Sequence, residues 1–269
     1  MKRPSLLVLC AVAAVVAAGC SPPRHAVPEE VRDDSGTPAS SFIHAPPVGQ
    51  PSPQTTEQIA EPATQPAAPP FESETSEIPA AVRHRMDGVS MQPGCPVGFD
   101  DLRYLRVSYW TFDSAPATGE LVVHRDVADD VTGVFRRLYD ARFPIRRMTL
   151  VDDFGRADDR ADGADDFASI EADNTSAFNC RLRTGSAAEY SQHSYGTAVD
   201  VNPLENPYVS AGGTTAHKRS RPYLDRGTTA AGVISADGAA VEAFGSVGWV
   251  WGGTWSGARD FQHFSSNGR

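Results

Sequence analysis

The sequence is short of positive charge. Its 24 Lys and Arg stand against 34 Asp and Glu, a formal net charge of −10. Phosphate binding wants clustered Lys and Arg, so this balance argues against nucleic acid as a partner. Aromatic residues are almost missing between Pro22 and Pro79, where 13 of the 21 prolines fall. Such a segment cannot bury enough apolar surface to offset its ordering entropy, and it reads as disordered. No EF-hand spacing occurs in the acidic stretch from Asp152 to Asp173, which reads as a solvated surface loop. No paired-carboxylate site of the kind used for glycan cleavage is evident, and there is no internal repeat.

What is present at the N-terminus is a charged start, Met1-Lys2-Arg3, followed by an apolar run from Leu6 to Ala18. This is the layout of a secretory signal, and the run is too short for a comfortable membrane-spanning helix. It ends in Ala17-Ala18-Gly19-Cys20, which resembles a bacterial lipoprotein processing box. Cleavage before Cys20 would leave a lipidated cysteine. Acyl chains contribute about 0.8 kcal/mol per buried methylene, so several of them would hold the protein on the outer face of the cell membrane. An ordinary secretory signal with an incidental cysteine is the alternative. The expected organisation is a signal at 1–20, a Pro/Ala/Ser/Thr-rich linker at 21–85 spacing membrane from wall, and a folded domain at 86–269.

Within that domain one stretch concentrates chemistry: Ser191-Gln-His193-Ser-Tyr-Gly196-Thr-Ala198-Val-Asp200. Imidazole and carboxylate are ordinary zinc ligands, and catalytic zinc sites use three protein ligands with the fourth position open. The small residues between His193 and Asp200 suit a backbone that turns tightly near a metal. Asp260-Phe-Gln-His263 supplies a third ligand, with Asp260 placed to act as a general base. Spacing alone leaves open that these are ordinary satisfied polar groups.

The pattern Ser191-x-His193-x-x-Gly196-x-Ala198-x-Asp200, followed by Asp260-x-x-His263, resembles the signature of the VanY/VanX-type D-alanyl-D-alanine metallopeptidases. The resemblance covers about Cys95 to Phe264. It implies an α+β fold of the hedgehog/DD-peptidase kind, a small antiparallel sheet with flanking helices. It implies Zn2+ held by His193, Asp200 and His263, with Asp260 as base and Ser191 in the substrate site. Family members carry an arginine upstream of the first ligand, aimed at the substrate carbonyl or terminal carboxylate. Arg181 is the candidate here, with Arg183 behind it and a surface ion pair to the acidic loop as its other reading. A similar aromatic stretch precedes the family's last ligand, so Trp251 or Trp255 is expected to line the cleft. The implied substrates are peptidoglycan stem peptides. Removal of a terminal D-alanine is the leading reaction. Cleavage between L-alanine and D-glutamate is the nearest variant, and a non-catalytic wall-binding module is the rival class.

Cys10 leaves with the signal and Cys20 is the lipidation candidate. Cys95 and Cys180 therefore remain as an expected disulfide of an exported protein. Tyr104–Phe112 and Gly119–His124 read as antiparallel strands, and Ile145–Val151 as a third. Val127, Val131, Val134, Phe135, Leu138 and Tyr139 recur at helical spacing, and Ala239–Val247 forms a short helix. His124 reads as structural, and His217 as a solvated loop residue.

Overall fold

The computed structural model describes residues 68–157 and 163–269. The signal, Cys20, most of the linker, and Asp158 and Asp159 lie outside the described residues.

The first strand, β1 (Ser73–Ser76), is followed by helix α1 (Ala80–Met86). Both fall inside the stretch read from the sequence as linker, so the folded part begins well before residue 86. The Ser-Glu-Thr-Ser strand contributes edge pairing through its backbone, which a hydrophobicity pattern does not register; Val82 and Met86 of α1 are buried. Strands β2 (Leu102–Trp110) and β3 (Pro116–His124) form the expected hairpin, with sheet order β1-β2-β3, antiparallel throughout. Side chains of successive strand residues point to opposite faces. Leu105, Val107, Leu121 and Val123 pack on one face with helix α2 (Ala128–Asp140), while Leu102, Tyr104 and Val122 pack on the other with Ile78, Val82 and Met86. Helix α2 has the predicted apolar stripe, with Asp129 and Asp130 in its first turn, where the helix dipole favours anions.

The expected third strand at Ile145–Val151 does not form. The segment runs extended beside the hairpin and makes only isolated bridges, Trp110 to Pro144 and Arg147 to Asn174. Two asparagine side chains take the place of a neighbouring strand: Asn202 Oδ1 accepts from Arg146 N at 3.0 Å and Asn174 Oδ1 from Thr149 N at 2.9 Å. A 3-10 turn at Val151–Phe154 then ends the run.

The acidic stretch is also more structured than expected. Asp152 Oδ1 accepts from Ser90 N, Asp165 caps helix α3 (Asp166–Glu171), and Asp173 is 2% exposed. His217 is likewise not solvated. It is 8% exposed, with its Nδ1 2.7 Å from Glu171 Oε1 and its ring stacked on Phe167. His124 is structural as expected, its Nδ1 accepting from Asp126 N.

The remaining strands are short: β4 (Ala198–Asp200), β5 (Tyr208–Val209), β6 (Val250–Trp251), β7 (Arg259–Asp260) and β8 (His263–Ser265), with helix α4 (Ala239–Gly245) before β6. They make a sheet of order β4-β8-β6 and a β5-β7 pair. Phe244 of α4 stacks on Phe264 of β8, ring centroids 4.0 Å apart and planes at 9°. The sheet that carries the chemistry thus rests on the main core. The class is α+β with small antiparallel sheets. A disulfide joins Cys95 to Cys180, Cα atoms 5.9 Å apart, across a sequence separation of 85.

Candidate metal centre and cleft

Three elements bring the candidate ligands together. Asp200 closes β4 and His263 opens β8, and the antiparallel register sets them directly opposite each other. Cross-strand partners share a face, so their side chains meet without further arrangement. His193 lies on a 3-10 turn, Gln192–Tyr195, that Ser191 caps by accepting from His193 N. Gly196 then turns the chain into β4 with φ +68°, where a Cβ would stand 2.6 Å from His124 N. Its carbonyl instead accepts from that amide at 2.8 Å, joining the site loop to the end of β3.

The three donor atoms converge in a buried triangle. His193 Nε2 is 3.2 Å from His263 Nδ1 and 3.2 Å from Asp200 Oδ1, and His263 Nδ1 is 3.0 Å from Asp200 Oδ1. Zinc–ligand bonds of about 2.0–2.1 Å in a tetrahedron put neighbouring donors about 3.3 Å apart. Main-chain oxygens fix both rings. His193 Nδ1 lies 2.6 Å from Ala177 O, and His263 Nε2 lies 3.0 Å from Arg269 O. Each of these oxygens accepts, so each of those nitrogens carries the proton. The other two ring nitrogens then face each other and the Asp200 carboxylate, a meeting that a shared proton or a bound cation satisfies. Burial alone pushes the Asp200 carboxyl up, yet the two imidazoles hold it far below the usual carboxylate range. Burial alone pushes His263 down, yet Asp200 raises its pKa. The donor set fits a divalent metal of the zinc type.

Asp260, at the end of β7, stands beside this triangle. Burial, and then the charge of Asp200, push its carboxyl up to about 7. Its Oδ1 is buried with no hydrogen-bond partner among the described residues. Gly252 leaves room for it: a Cβ there would lie 2.6 Å from Asp260 O and 3.1 Å from Asp260 Cβ. Arg181 reaches the same neighbourhood because Ser194 Oγ ties the two segments, accepting from Arg181 N at 2.9 Å and donating to Arg181 O at 2.7 Å. The ion pair of Arg181 to the acidic stretch forms, Nη2 to Asp166 at 3.0 Å, and the same side chain lies at the cleft.

The cleft has a volume of about 1020 Å³, and Arg181, Ser191, His193, Tyr208, Trp255, Asp260 and His263 are among its walls. Trp255 is therefore the cleft tryptophan. Trp251 is not: it is 7% exposed, lies in the core, and donates from Nε1 to Phe261 O at 2.8 Å. Arg183 lines the cleft behind Arg181 and pairs with Glu189. Sequence reasoning missed the support beneath β4. There Asn206 donates to the carbonyls of Val201, Asn202 and Gly232 and accepts from Ile234 N. The Asn202-Pro203-x-x-Asn206 run was its only sequence signal.

Residues 184–266 match the model of the family described as D-alanyl-D-alanine carboxypeptidase. That span contains all three triangle residues and Asp260, and it supports a peptidase of the VanY type. Neither a curated protein nor a solved structure matches the chain.

Proposed function

We propose that the protein is an exported, lipid-anchored, zinc-dependent peptidase acting on peptidoglycan stem peptides as a D-alanyl-D-alanine carboxypeptidase. The observation that carries this reading is the buried His193–Asp200–His263 triangle with Asp260 beside it at the wall of an open cleft. Zinc held by the three residues would supply Lewis acidity, polarising a carbonyl and lowering the pKa of water to about 7.

The chain's own residues supply the rest. Asp260 accepts a proton from the attacking water and returns it to the leaving amine. Its buried Oδ1 has no hydrogen-bond partner among the described residues and is therefore free to take a proton from a water held in the cleft. Arg181 faces the negative charge that develops on the scissile carbonyl oxygen, or the terminal carboxylate of the peptide. Its buried Nε has no partner among the described residues, while Nη2 is held by Asp166. Trp255 and Tyr208 give the peptide apolar walls. A local arginine suits a peptide carboxylate despite the net negative charge. The linker between Cys20 and the domain spaces the cleft from the membrane.

Incubation of the zinc-loaded protein with purified muropeptides, followed by mass spectrometry, tests the reading. Loss of one terminal alanine is the expected product. Release of an L-alanine fragment would replace it with endopeptidase action, and unchanged muropeptides would leave the wall-binding class.

A further inference from the structure

The two histidines of the triangle are held very differently. His193 leans on Ala177 O, within a segment buried from Asp173 to Cys180. His263 leans on Arg269 O, and residues 267–269 line the cleft itself. Four contacts bend this segment back over the site. Ser266 N donates to Thr197 O at 3.1 Å, Gly268 N to Ser265 O at 3.4 Å, Trp255 Nε1 to Gly268 O at 3.0 Å, and Arg269 N to Asn267 Oδ1 at 3.1 Å. Gly268 sits at φ +79°, a turn that an L side chain strains. The Trp255 ring lies 5.5 Å from the His263 ring, covering it on the cleft side.

We infer that Trp255, Asn267 and Gly268 are positioning residues that hold the Arg269 main-chain oxygen on His263 Nε2 and so aim His263 Nδ1 at the metal. The inference rests on the metal reading of the triangle. Hydrogen bonds to the distal nitrogen fix a ligating histidine's tautomer and orientation, and losing such a partner costs about 10- to 100-fold in metal affinity. Trp255 thereby has two roles, as a cleft wall and as the indole donor that pins Gly268. The main-chain oxygen that orients one ligand is accessible from the cleft, so an occupant of the cleft touches the support of the metal site.

Trp255→Phe keeps a ring and removes the indole donor, Asn267→Ala removes the acceptor for Arg269 N, and Gly268→Ala strains the turn. Two quantities test the inference in the full chain: the zinc dissociation constant by chelator competition, and the ring N–H signals of the two histidines by nitrogen-15 NMR. The expected result is zinc binding weakened about 10- to 100-fold in each variant. His263 Nε2–H should exchange faster with water, while His193 Nδ1–H and the melting temperature stay at parent values. Parent-like zinc affinity and a parent-like His263 signal in all three would overturn the inference. So would equal loss of both histidine signals, which would mean general loosening of the fold. The His263 signal is also read on the zinc-free chain. A parent that takes up no zinc therefore overturns the metal reading, while the clamp is still decided by that signal.

Discussion

Asp200 and His263 are register partners across β4 and β8, and their side chains close to 3.0 Å between Oδ1 and Nδ1. The pairing makes a 63-residue separation in sequence irrelevant to the geometry of the site. It also means that whatever disturbs β8 disturbs the triangle.

Gly252 provides a test of the base that leaves Asp260 itself unchanged. A methyl at 252 must push on Asp260 O and Cβ, which lie 2.6 and 3.1 Å from the position it would take. Displacement of a catalytic group by about 1 Å can cost about a hundredfold in rate. Gly252→Ala is expected to keep its zinc and to lose about 10- to 100-fold in kcat. Zinc content by elemental analysis, set beside the turnover number, checks it, and full activity would mean that the carboxylate has room to move.

The Cys95–Cys180 bridge closes a loop of 85 residues. In the chain-entropy account such a loop contributes about 4–5 kcal/mol, by restricting the unfolded chain. Reduction, or paired substitution by alanine, is expected to lower the urea midpoint and leave zinc content unchanged. Neither cysteine should react with a thiol reagent in the native, unreduced protein.

Much of this was legible in the sequence, and what escaped has a common physical cause. The β2–β3 hairpin and α2 follow from periodic apolar residues, and the triangle was legible through the family resemblance, since spacing alone left ordinary polar groups open. The segment at Ile145–Val151 resembles a strand because apolar and β-branched residues recur in it after Pro144. Whether it pairs depended instead on Asn174 and Asn202, which lie far along the chain and take its amides. The acceptors that orient His193 and His263 are main-chain oxygens of Ala177 and Arg269, and a main-chain atom carries no side-chain identity to read. Trp251 lies on β6 in the core, while Trp255 follows the 3-10 turn Gly252–Thr254 and reaches the cleft, a difference that two tryptophans four residues apart do not announce. His217 and Glu171 meet across 46 residues, and nothing local marks them as a pair.

Glu205 gives the fold a pH dependence of known sign. Burial, and then the neighbouring Asp173 carboxylate, push its carboxyl from 4.5 up to about 8. Between those values the folded chain holds a proton at this site that the unfolded chain has released. Stability therefore falls as pH rises from about 4.5 through 8, with Arg146 Nη2 at 3.7 Å opposing the shift without reversing it. Glu205→Gln cannot ionise, so its urea midpoint is expected to decline less than the parent's between pH 5 and about 8. Parallel decline in the two proteins would remove Glu205 as the cause.

The last prediction separates ligand from base, and it carries the functional claim. His193→Ala, Asp200→Ala and His263→Ala each remove one corner of the triangle, so zinc content and activity are expected to fall together in all three. Asp260→Ala removes a carboxyl that stands beside the triangle and contributes no corner to it. That variant is expected to keep about one zinc per chain while turnover drops at least about a hundredfold, the scale of lost general base catalysis. Asp260→Glu should recover part of the rate, because the longer carboxylate can still reach the water. The contrast between metal content and turnover is what decides, because misfolding would abolish both in every variant. Undiminished cleavage of wall peptides by Asp260→Ala would remove Asp260 from the mechanism and leave the base to another group in the cleft.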